Sequence, residues 1–393
     1  MRVNPVLLSR ALCASLVCTL SGPAWAVNGA QPGGNGAANA AMGGTSIALP
    51  LDAEAAANNP AGLAFVPTSM VVGFQVFRGD SSSQYVFPGN SLHNSTTTVG
   101  PEGGVNWQLS SQWTVGVSAS FGGAGADYGE PALPVPGAAN AKTTLQVLEL
   151  VPTVTWRPSE NFAIGVGPNL AYERFEAQGV IVPAPVPGGL LLLPKHGQQQ
   201  ASGVGLRMGI LWKPTSDLSL GATYKSRTTM GRLSGYEKDL LAYSGGRLDI
   251  PSQYGVGLAW RATSSLTLSM DWLRIQWAGL KVMQDPNGFR WRDQPIWRMG
   301  ASWALDDDWT LRAGYSHSRS EITSDRTLQN LYVPSINKQA ITAGLTRRIS
   351  PSSSFNLGYE FNPKTTLHGS AESTGTSLTS KVQMLMMSYQ HDF

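Results

Sequence analysis

Residues that could catalyse a reaction are few and scattered. None of the five histidines stands at a metal-ligand spacing from another His, Asp or Glu. Ser316-His317-Ser318 comes nearest to a hydrolytic pair but lacks a positioned third group, and no Gly-x-Ser-x-Gly turn occurs. The sequence therefore predicts no enzyme, no metal site and no cofactor, with a lipid-acting hydrolase as a remote alternative. The histidines are His93, His196, His317, His368 and His391.

Apolar residues in one connecting segment predict a different chemistry, the binding of hydrophobic molecules. The segment 177–200 combines apolar side chains with several prolines, and the shorter segment 131–136 could form a second wall. Exposed apolar patches mark interaction sites, and each CH₂ group of a ligand that they bury contributes about 0.8 kcal/mol. Packing of the segment on itself is the alternative. The candidate capture residues are Val180, Ile181, Val182, Leu190, Leu191, Leu192 and Leu193.

The composition indicates that part of the folded surface does not face water. Only 13% of the 393 residues are charged and 42% are hydrophobic, whereas a soluble domain carries about 25% charged residues. The mean hydropathy is −0.10. The chain is thus too apolar to be disordered and too poor in charge for an ordinary soluble enzyme.

Residues 1–26 have the features of a cleaved secretory signal. Arg2 and Arg10 precede an apolar stretch from Ala11 to Leu20, and Ala24-Trp25-Ala26 supplies a cleavage site. The stretch is too short to cross a membrane as a helix, which disfavours an N-terminal anchor.

Cleavage of this segment would leave a chain without thiols and with almost no net charge. Both cysteines, Cys13 and Cys18, lie inside it, so the mature chain would have no thiol. Without Arg2 and Arg10, 26 basic residues face 25 acidic ones, a net charge of +1. That balance gives no electrostatic support for binding nucleic acid.

The mature chain is organised by strands. It contains no run of 18 apolar residues, which excludes a transmembrane helix. Residues 113–121, 218–224 and 266–272 alternate apolar side chains with small or polar ones. A period of two is typical of a strand with two different faces.

Short polar turns divide these strands into repeats. The turns at 110–112, 158–161, 214–217, 263–265, 306–308 and 351–354 lie about 43 to 56 residues apart. Each interval is too long for one hairpin with tight turns at both ends, so each repeat holds one short turn and one long loop. Six short turns and seven long connections make fourteen strands. A tryptophan precedes five of the turns: Trp107, Trp156, Trp212, Trp260 and Trp303.

These features predict an all-β, 14-stranded antiparallel transmembrane β-barrel. A closed barrel pairs all of its backbone within lipid, and neither a soluble sandwich nor a β-solenoid explains tryptophans clustered at the turns. The predicted strands span 68–78, 101–109, 113–122, 142–157, 162–176, 200–213, 218–233, 248–262, 266–280, 292–305, 309–320, 338–350, 355–367 and 380–393.

Residues 27–67 differ from the rest, being rich in Ala and Gly with weak periodicity. They contain the small-residue run Gly33–Gly44 and the motif Asn59-Pro60-Ala61. With fourteen strands and a terminal Phe393, the chain resembles the FadL-type family (OmpP1/FadL/TodX-like) of outer-membrane transporters for long-chain fatty acids and related hydrophobic compounds. The resemblance covers the whole mature chain, although only the N-terminal motif is specific.

The resemblance implies three regions: a signal peptide at 1–26, a hatch at 27–67 that plugs the barrel, and the barrel at 68–393. It also implies loop capture, a site in the lumen, and sideways release at a kinked third strand. Phe121-Gly122-Gly123 closes the predicted third strand, and glycine lets a strand bend or lose pairing. We therefore expect Gly122 to mark the kink and Asn59, Pro60 and Ala61 to be its hatch partners. The alternative is that these glycines begin a flexible loop.

Side-chain parity assigns the lumen. If the turn-side tryptophans face lipid, eight charged residues face inward, where charge is tolerated. One or two of Arg207, Lys225, Arg298 and Arg312 could then meet a fatty-acid carboxylate; pairing among themselves and with Asp52 and Glu54 of the hatch is the alternative. The eight residues are Glu149, Arg207, Lys225, Arg227, Asp271, Arg298, Arg312 and Glu360.

The sequence thus predicts a monomeric transporter in the outer membrane of a Gram-negative cell. Long-chain fatty acids are the expected substrate; aromatic hydrocarbons are the main alternative, and a porin-like channel is a weaker one. The expected partners are the hydrophobic substrate, outer-membrane lipid and lipopolysaccharide, with no nucleic acid. No segment resembles an energy-coupling motif, so diffusive transport is expected.

Overall fold

A computed structural model describes residues 31–183 and 190–393, apart from Pro32. The predicted signal at 1–26 lies outside these residues. Seventeen strands are described: β1 Ser69–Gln84, β2 Ser91–Gln108, β3 Trp113–Asp127, β4 Lys142–Ser159, β5 Phe162–Gln178, β6 Ile181–Pro183, β7 Leu190–Leu192, β8 Gln199–Trp212, β9 Leu218–Lys225, β10 Thr229–Met230, β11 Gln253–Arg261, β12 Leu266–Ile275, β13 Gln294–Ala304, β14 Trp309–Ser318, β15 Gln339–Ser350, β16 Ser353–His368 and β17 Ser377–Asp392.

Fourteen of these strands close into an antiparallel barrel, as predicted. Neighbouring strands pair in chain order, β17 pairs with β1, and β8 pairs with β9. Strands β6 and β7 form a separate hairpin, and β10 adds two residues beside β8. Each barrel strand therefore has two neighbours, which is the condition for a sheet without an edge.

The two faces of the barrel wall follow the alternation in the sequence. On β11, Val256, Leu258 and Trp260 are exposed on the outside, and Gly255 and Gly257 approach the interior. The turn-side tryptophans form an exposed ring at one end: Trp107, Trp113, Trp156, Trp212, Trp260, Trp303 and Trp309. An apolar outer band with aromatic ends is suited to the lipid bilayer.

The strand bounds agree with the prediction to within about five residues, with three exceptions. The strand predicted at 218–233 ends at Lys225, and Thr229–Met230 form a separate short strand. The predicted long connection between the first two strands is wrong, because β1 continues to Gln84 and β2 begins at Ser91. Polar side chains bond across this pair: Ser95 Oγ donates to Asp80 Oδ1 (2.7 Å) and Asn94 Nδ2 donates to Ser81 Oγ (3.2 Å). The third strand does not close at Gly122 either, because β3 runs on to Asp127 alongside β4.

Residues 33–66 fill the barrel lumen as a plug. They form two short α-helices, α1 Ala37–Ala40 and α2 Ala55–Asn58, and the 3-10 helix Pro60–Phe65. The Asn59 side chain caps the 3-10 helix by accepting a hydrogen bond from Ala61 N (3.1 Å). Within the described residues, no helix has the length and apolar character needed to cross a membrane.

Glycines in the barrel wall make room for the plug. A Cβ atom at Gly209 would overlap Asn59 Oδ1, and one at Gly314 would overlap Gly43. The barrel glycines in close approach to the plug include Gly104, Gly165, Gly209, Gly221, Gly257, Gly300, Gly314, Gly344 and Gly358.

Candidate functional site

A cavity of about 980 Å³ lies between the plug and the long connections at the end opposite the tryptophan ring. This volume is at the upper end of the range for small-molecule sites. Its wall is mainly aliphatic and aromatic, which suits an apolar ligand. The aromatic residues are Tyr85, Phe121, Phe175, Trp277, Phe289, Trp291 and Tyr332.

The long connections pack into a cap over this cavity. Trp277 and Trp291 meet edge to face at 4.8 Å between ring centres. Tyr332 Oη donates to Gly179 O (2.6 Å), and Tyr128 Oη donates to Leu331 O (2.8 Å). Burial raises the pKa of both phenols, so the hydroxyls remain donors that tie separate loops together.

The predicted capture residues are divided between the cavity and the surface. Val180 and Ile181 are buried against the cap, and both line the cavity. Val182, Leu191 and Leu193 also line it, although Leu191 is 49% exposed. Leu192 is exposed and Leu190 is described only by its backbone, which pairs with Pro183. The β6–β7 hairpin thus offers one face to the cavity while its base packs into the cap.

A charged cluster in the floor of the cavity contains two of the predicted lumen cations. Lys225 Nζ donates to both carboxylate oxygens of Glu149, at 2.9 and 3.2 Å. Arg207 donates to Glu149 Oε2 (3.3 Å) and to Ala57 O of the plug. Asn169 completes the cluster with a bond to Glu149 Oε1 (3.0 Å). Both cations are therefore engaged by the protein.

The other two predicted cations are also engaged. Arg298 Nη1 donates to Gly44 O of the plug (3.1 Å), and Arg312 donates to Thr346 Oγ1. The acidic partners differ from those considered from sequence: neither Asp52 nor Glu54 forms a recorded ion pair, and both carboxylate oxygens of Glu54 lack a hydrogen-bond partner among the described residues. Among the described residues, the cations therefore form no direct ion pair with the hatch carboxylates, although Arg312 and Asp52 interact electrostatically at longer range.

Three charged residues that parity places inside the barrel remain, and the structure has two of them there. Asp271 and Glu360 lie buried inside the barrel, and Asp271 Oδ2 accepts bonds from Ser46 N (2.7 Å) and Ile47 N (3.1 Å) of the plug. The inward placement of Arg227 is wrong, because β9 ends at Lys225 and the irregular step to β10 reverses the alternation. The Arg227 side chain is 49% exposed and lies 3.8 Å from Asp249.

Sequence reasoning missed a further carboxyl group in the cavity. Glu173 on β5 is 1% exposed, lines the cavity, and has no hydrogen-bond partner for either carboxylate oxygen within the described chain. Its parity matches that of Ala171 and Phe175, which are also buried. The alternation along β5 could therefore have revealed it.

The barrel wall has a lateral gap between β2 and β3. Their backbone pairing ends at Gly103 and Ala119, although both strands continue beyond this point. From this point towards the cap, β2 pairs only with β1, and β3 pairs only with β4. A bond from Asp127 N to Asn94 Oδ1 (2.9 Å) bounds the gap at the top.

The gap opens close to the predicted kink at Gly122. The Phe121 ring lies against Gly100 of β2, and Gln75 Nε2 donates to Phe121 O (3.1 Å). Phe121, Gly122 and Gly123 all line the cavity, so this part of β3 borders both the cavity and the gap.

The hatch motif contacts other strands. Asn59 Nδ2 donates to Ile210 O on β8 (3.0 Å), and Pro60 O accepts from Thr155 Oγ1 on β4 (2.8 Å). Ala61 packs with Ala163 and Leu211. The bonds of this motif therefore go to β4 and β8 and not to Gly122, and both α2 and the 3-10 helix approach β3.

The plug is held by bonds to many strands. Thr342 Oγ1 on β15 donates to Ala41 O (2.8 Å), and Thr223 Oγ1 on β9 donates to Asn58 O (3.0 Å). Nowhere in residues 31, 33–183 and 190–393 do three or more His, Cys, Asp or Glu residues form a group suited to a metal ion.

A family model described as "outer membrane protein transport protein (OMPP1/FadL/TodX)" matches residues 16–393. A search of curated protein sequences found no match to the chain.

Solved structures share the fold. The toluene transporter TodX of Pseudomonas putida superposes with a TM-score of 0.72 and 20% identity, covering 92% of this chain and 99% of its own. A FadL homologue from Pseudomonas aeruginosa gives 0.72 and 18%, covering 95% and 100%. The toluene transporter TbuX of Ralstonia pickettii gives 0.66 and 17%, covering 92% and 99%.

Proposed function

Since the chain belongs to the outer membrane protein transport family (OMPP1/FadL/TodX), we propose a route and a substrate class for its transport. The protein is an outer-membrane β-barrel that transports hydrophobic compounds and is not an enzyme. We propose that a substrate enters through the cap, rests in the cavity and leaves sideways between β2 and β3. The observation that carries this proposal is that the same part of β3, Phe121 to Gly123, lines the cavity and lacks backbone pairing with β2.

Entry takes place at the β6–β7 hairpin. Val182, Leu191 and Leu193 present apolar surface between the outside and the cavity. A hydrophobic molecule can move from one such surface to the next without being returned to water, which would cost the free energy of exposing it. The barrel works as a monomer among outer-membrane lipid and lipopolysaccharide.

The substrate class that fits the cavity best is a neutral hydrophobic compound. Arg207 and Lys225 share the carboxylate of Glu149, and Arg298 and Arg312 donate to protein oxygens. A carboxylate entering this site would lose its hydration and would have to compete with bonds that already exist. A hydrocarbon meets neither cost.

Long-chain fatty acids are the second candidate. Lys238 lines the cavity and forms no recorded ion pair within the described residues. A carboxylate held there would lie at the solvent side, with its tail directed into the apolar wall. This arrangement would leave the four inner cations in their structural role.

Exit takes place where β2 and β3 lack backbone pairing, past the Phe121 ring that lies against Gly100. Between Gly103 and Asn94 on β2, the strand has no backbone pairing with β3. A substrate that passes this gap reaches the lipid directly and need not cross the plug, which fills the lumen below the cavity. The plug then serves as a barrier to water-soluble molecules.

Uptake of radiolabelled toluene and oleate tests the proposal. Cells that lack the protein are compared with cells that carry it on a plasmid. Restoration of toluene uptake supports the neutral class, and restoration of oleate uptake alone supports the second candidate. Restoration of neither would contradict both. Whole cells are required because detergent micelles dissolve both compounds.

A further inference from the structure

Glu173 places an unpartnered carboxyl group in the wall of an apolar cavity. The residue is 1% exposed, and neither of its carboxylate oxygens has a hydrogen-bond partner among the residues that the structure describes. Buried polar groups in folded proteins are nearly always paired. A group that remains unpaired at a ligand cavity is therefore a candidate for pairing with the ligand.

The surroundings of Glu173 are apolar. Its neighbours across the sheet are Val147 on β4 and Ala201 on β8. Along its own strand, Ala171 and Phe175 share its face, and both are buried. None of these side chains can donate a hydrogen bond to the carboxyl group.

The nearby charged groups do not provide a partner either. Lys225 and Arg207 are bound to Glu149. Asp249, which also lines the cavity, is acidic and accepts a bond from Met230 N (2.9 Å). A fatty-acid carboxylate brought to Glu173 would lie beside two acidic side chains, Glu173 and Asp249, which disfavours its binding there.

We propose that Glu173 binds a hydrogen-bond-donating head group, the hydroxyl of a phenol or alcohol, on an otherwise apolar substrate. The inference rests on the proposed function, since it names the substrate class of the same cavity. A carboxyl oxygen accepts a hydrogen bond from a hydroxyl whether or not the group is ionised. The aromatic and aliphatic wall around it then buries the rest of the molecule.

Three radiolabelled probes with one common body test the inference: 4-octylphenol, octylbenzene and 4-octylbenzoate. Their uptake at limiting concentration is measured in cells that carry the wild-type protein, Glu173→Leu or Glu173→Gln. The wild type is expected to take up the phenol about tenfold better than octylbenzene, as one hydrogen bond to a buried acidic group predicts. Glu173→Leu should bring this ratio close to one, and Glu173→Gln should retain a preference because its amide oxygen still accepts.

A matched control separates recognition from folding. Glu360→Leu removes another buried lumen carboxyl, one that does not line the cavity, and should leave the ratio unchanged. Heat-dependent mobility in gels verifies that each variant forms a barrel.

The outcomes distinguish the inference about Glu173 from the proposed transport function. An unchanged phenol preference in folded Glu173→Leu overturns the inference, while protein-dependent uptake of octylbenzene still supports the proposed function. Absence of protein-dependent uptake for all three probes overturns both. A fourth probe, 4-octylbenzylamine, distinguishes the head groups: stronger uptake of the amine than of the phenol, lost in Glu173→Gln, would overturn the hydroxyl assignment in favour of an ammonium.

Discussion

Among single residues, Glu149 is the acidic partner of two buried cations in the lumen. It holds Lys225 and Arg207, and Arg207 in turn holds the carbonyl of Ala57 in the plug. The cluster thus links β4, β8 and β9 to α2. Its role is structural in this arrangement, because removing one member would leave the others buried and uncompensated.

We predict that Glu149→Gln destabilises the folded barrel by about 3 kcal/mol, because two buried cations lose their counter-charge. Denaturant unfolding followed by tryptophan fluorescence measures the effect. The double variant Glu149→Gln/Lys225→Met returns the net charge of the cluster to its wild-type value and should recover part of the loss. Equal stability of Glu149→Gln and wild type would show that the cluster contributes nothing.

A second residue-scale prediction concerns pH and the cap. Burial raises the pKa of Glu321, in the connection between β14 and β15, from 4.5 to about 8. Its folded-state pKa lies above the unfolded value, so its contribution to stability is fully present below about pH 4.5 and is lost as the pH rises through 8. Limited proteolysis should therefore cut the cap faster at pH 9 than at pH 6. Glu321→Gln should remove this difference, and a pH effect of the same size in that variant would contradict the assignment.

Residue identities in the site were predictable only where alternation holds. Parity places Arg207, Lys225 and Arg298 inside the barrel, where the structure has them. It fails at Arg227, because an irregular backbone step reverses the faces. Parity cannot show which cation pairs with which acid, since that depends on the relative heights of strands far apart in sequence.

At the scale of elements, the β6–β7 hairpin is a surface with two different faces. Leu191 and Leu193 line the cavity, whereas Leu192 between them does not. We predict that Leu191→Ser/Leu193→Ser raises the substrate concentration for half-maximal uptake about tenfold, because the loss of apolar contact weakens capture. Leu192→Ser is the matched control and should have little effect. Equal effects of the two variants would assign the hairpin to packing alone.

The plug depends on close approach to glycine in the barrel wall. We predict that Gly209→Val displaces the plug, because the added side chain would overlap Asn59, and that conductance in planar bilayers rises. At Gly231 an added Cβ has only ordinary contacts, starting at 3.4 Å, so Gly231→Val should conduct as the wild type does. A closed channel in folded Gly209→Val would contradict the role assigned to this glycine.

The elements themselves were largely predictable. Fourteen strands followed from alternation and six polar turns, because both are local signals. The continuation of β3 past Gly122 was not predictable, since glycine ends strands as readily as it bends them, and pairing with β4 decides the outcome here. The contacts of Asn59-Pro60-Ala61 were missed for a similar reason: they join strands β4 and β8, more than ninety residues away.

For the whole molecule, three features combine into one path. The cap carries an apolar entrance, the cavity holds about 980 Å³ below it, and the wall is unpaired between β2 and β3 beside that cavity. None of these three features is determined by a single segment of the sequence. The cavity in particular is lined by residues of seven connections and of most strands, so sequence alone could indicate its apolar character but not its shape.

The most direct test of this path is to bridge the β2–β3 gap. Val99 and Gly123 would face each other if the pairing of Gly103 with Ala119 continued upward, and cysteines introduced at both positions would be the only ones after residue 18. A short bifunctional methanethiosulfonate reagent joins them, and dithiothreitol releases them. Leu345→Cys/Leu357→Cys, at paired positions of β15 and β16, is the control.

The measurement is uptake of radiolabelled toluene by cells carrying each cysteine pair, before bridging, after bridging and after release. Lateral exit predicts that bridging Val99→Cys/Gly123→Cys abolishes uptake, that dithiothreitol restores it, and that the control pair is unaffected. Undiminished uptake with the gap demonstrably bridged would contradict lateral exit and require a route past the plug.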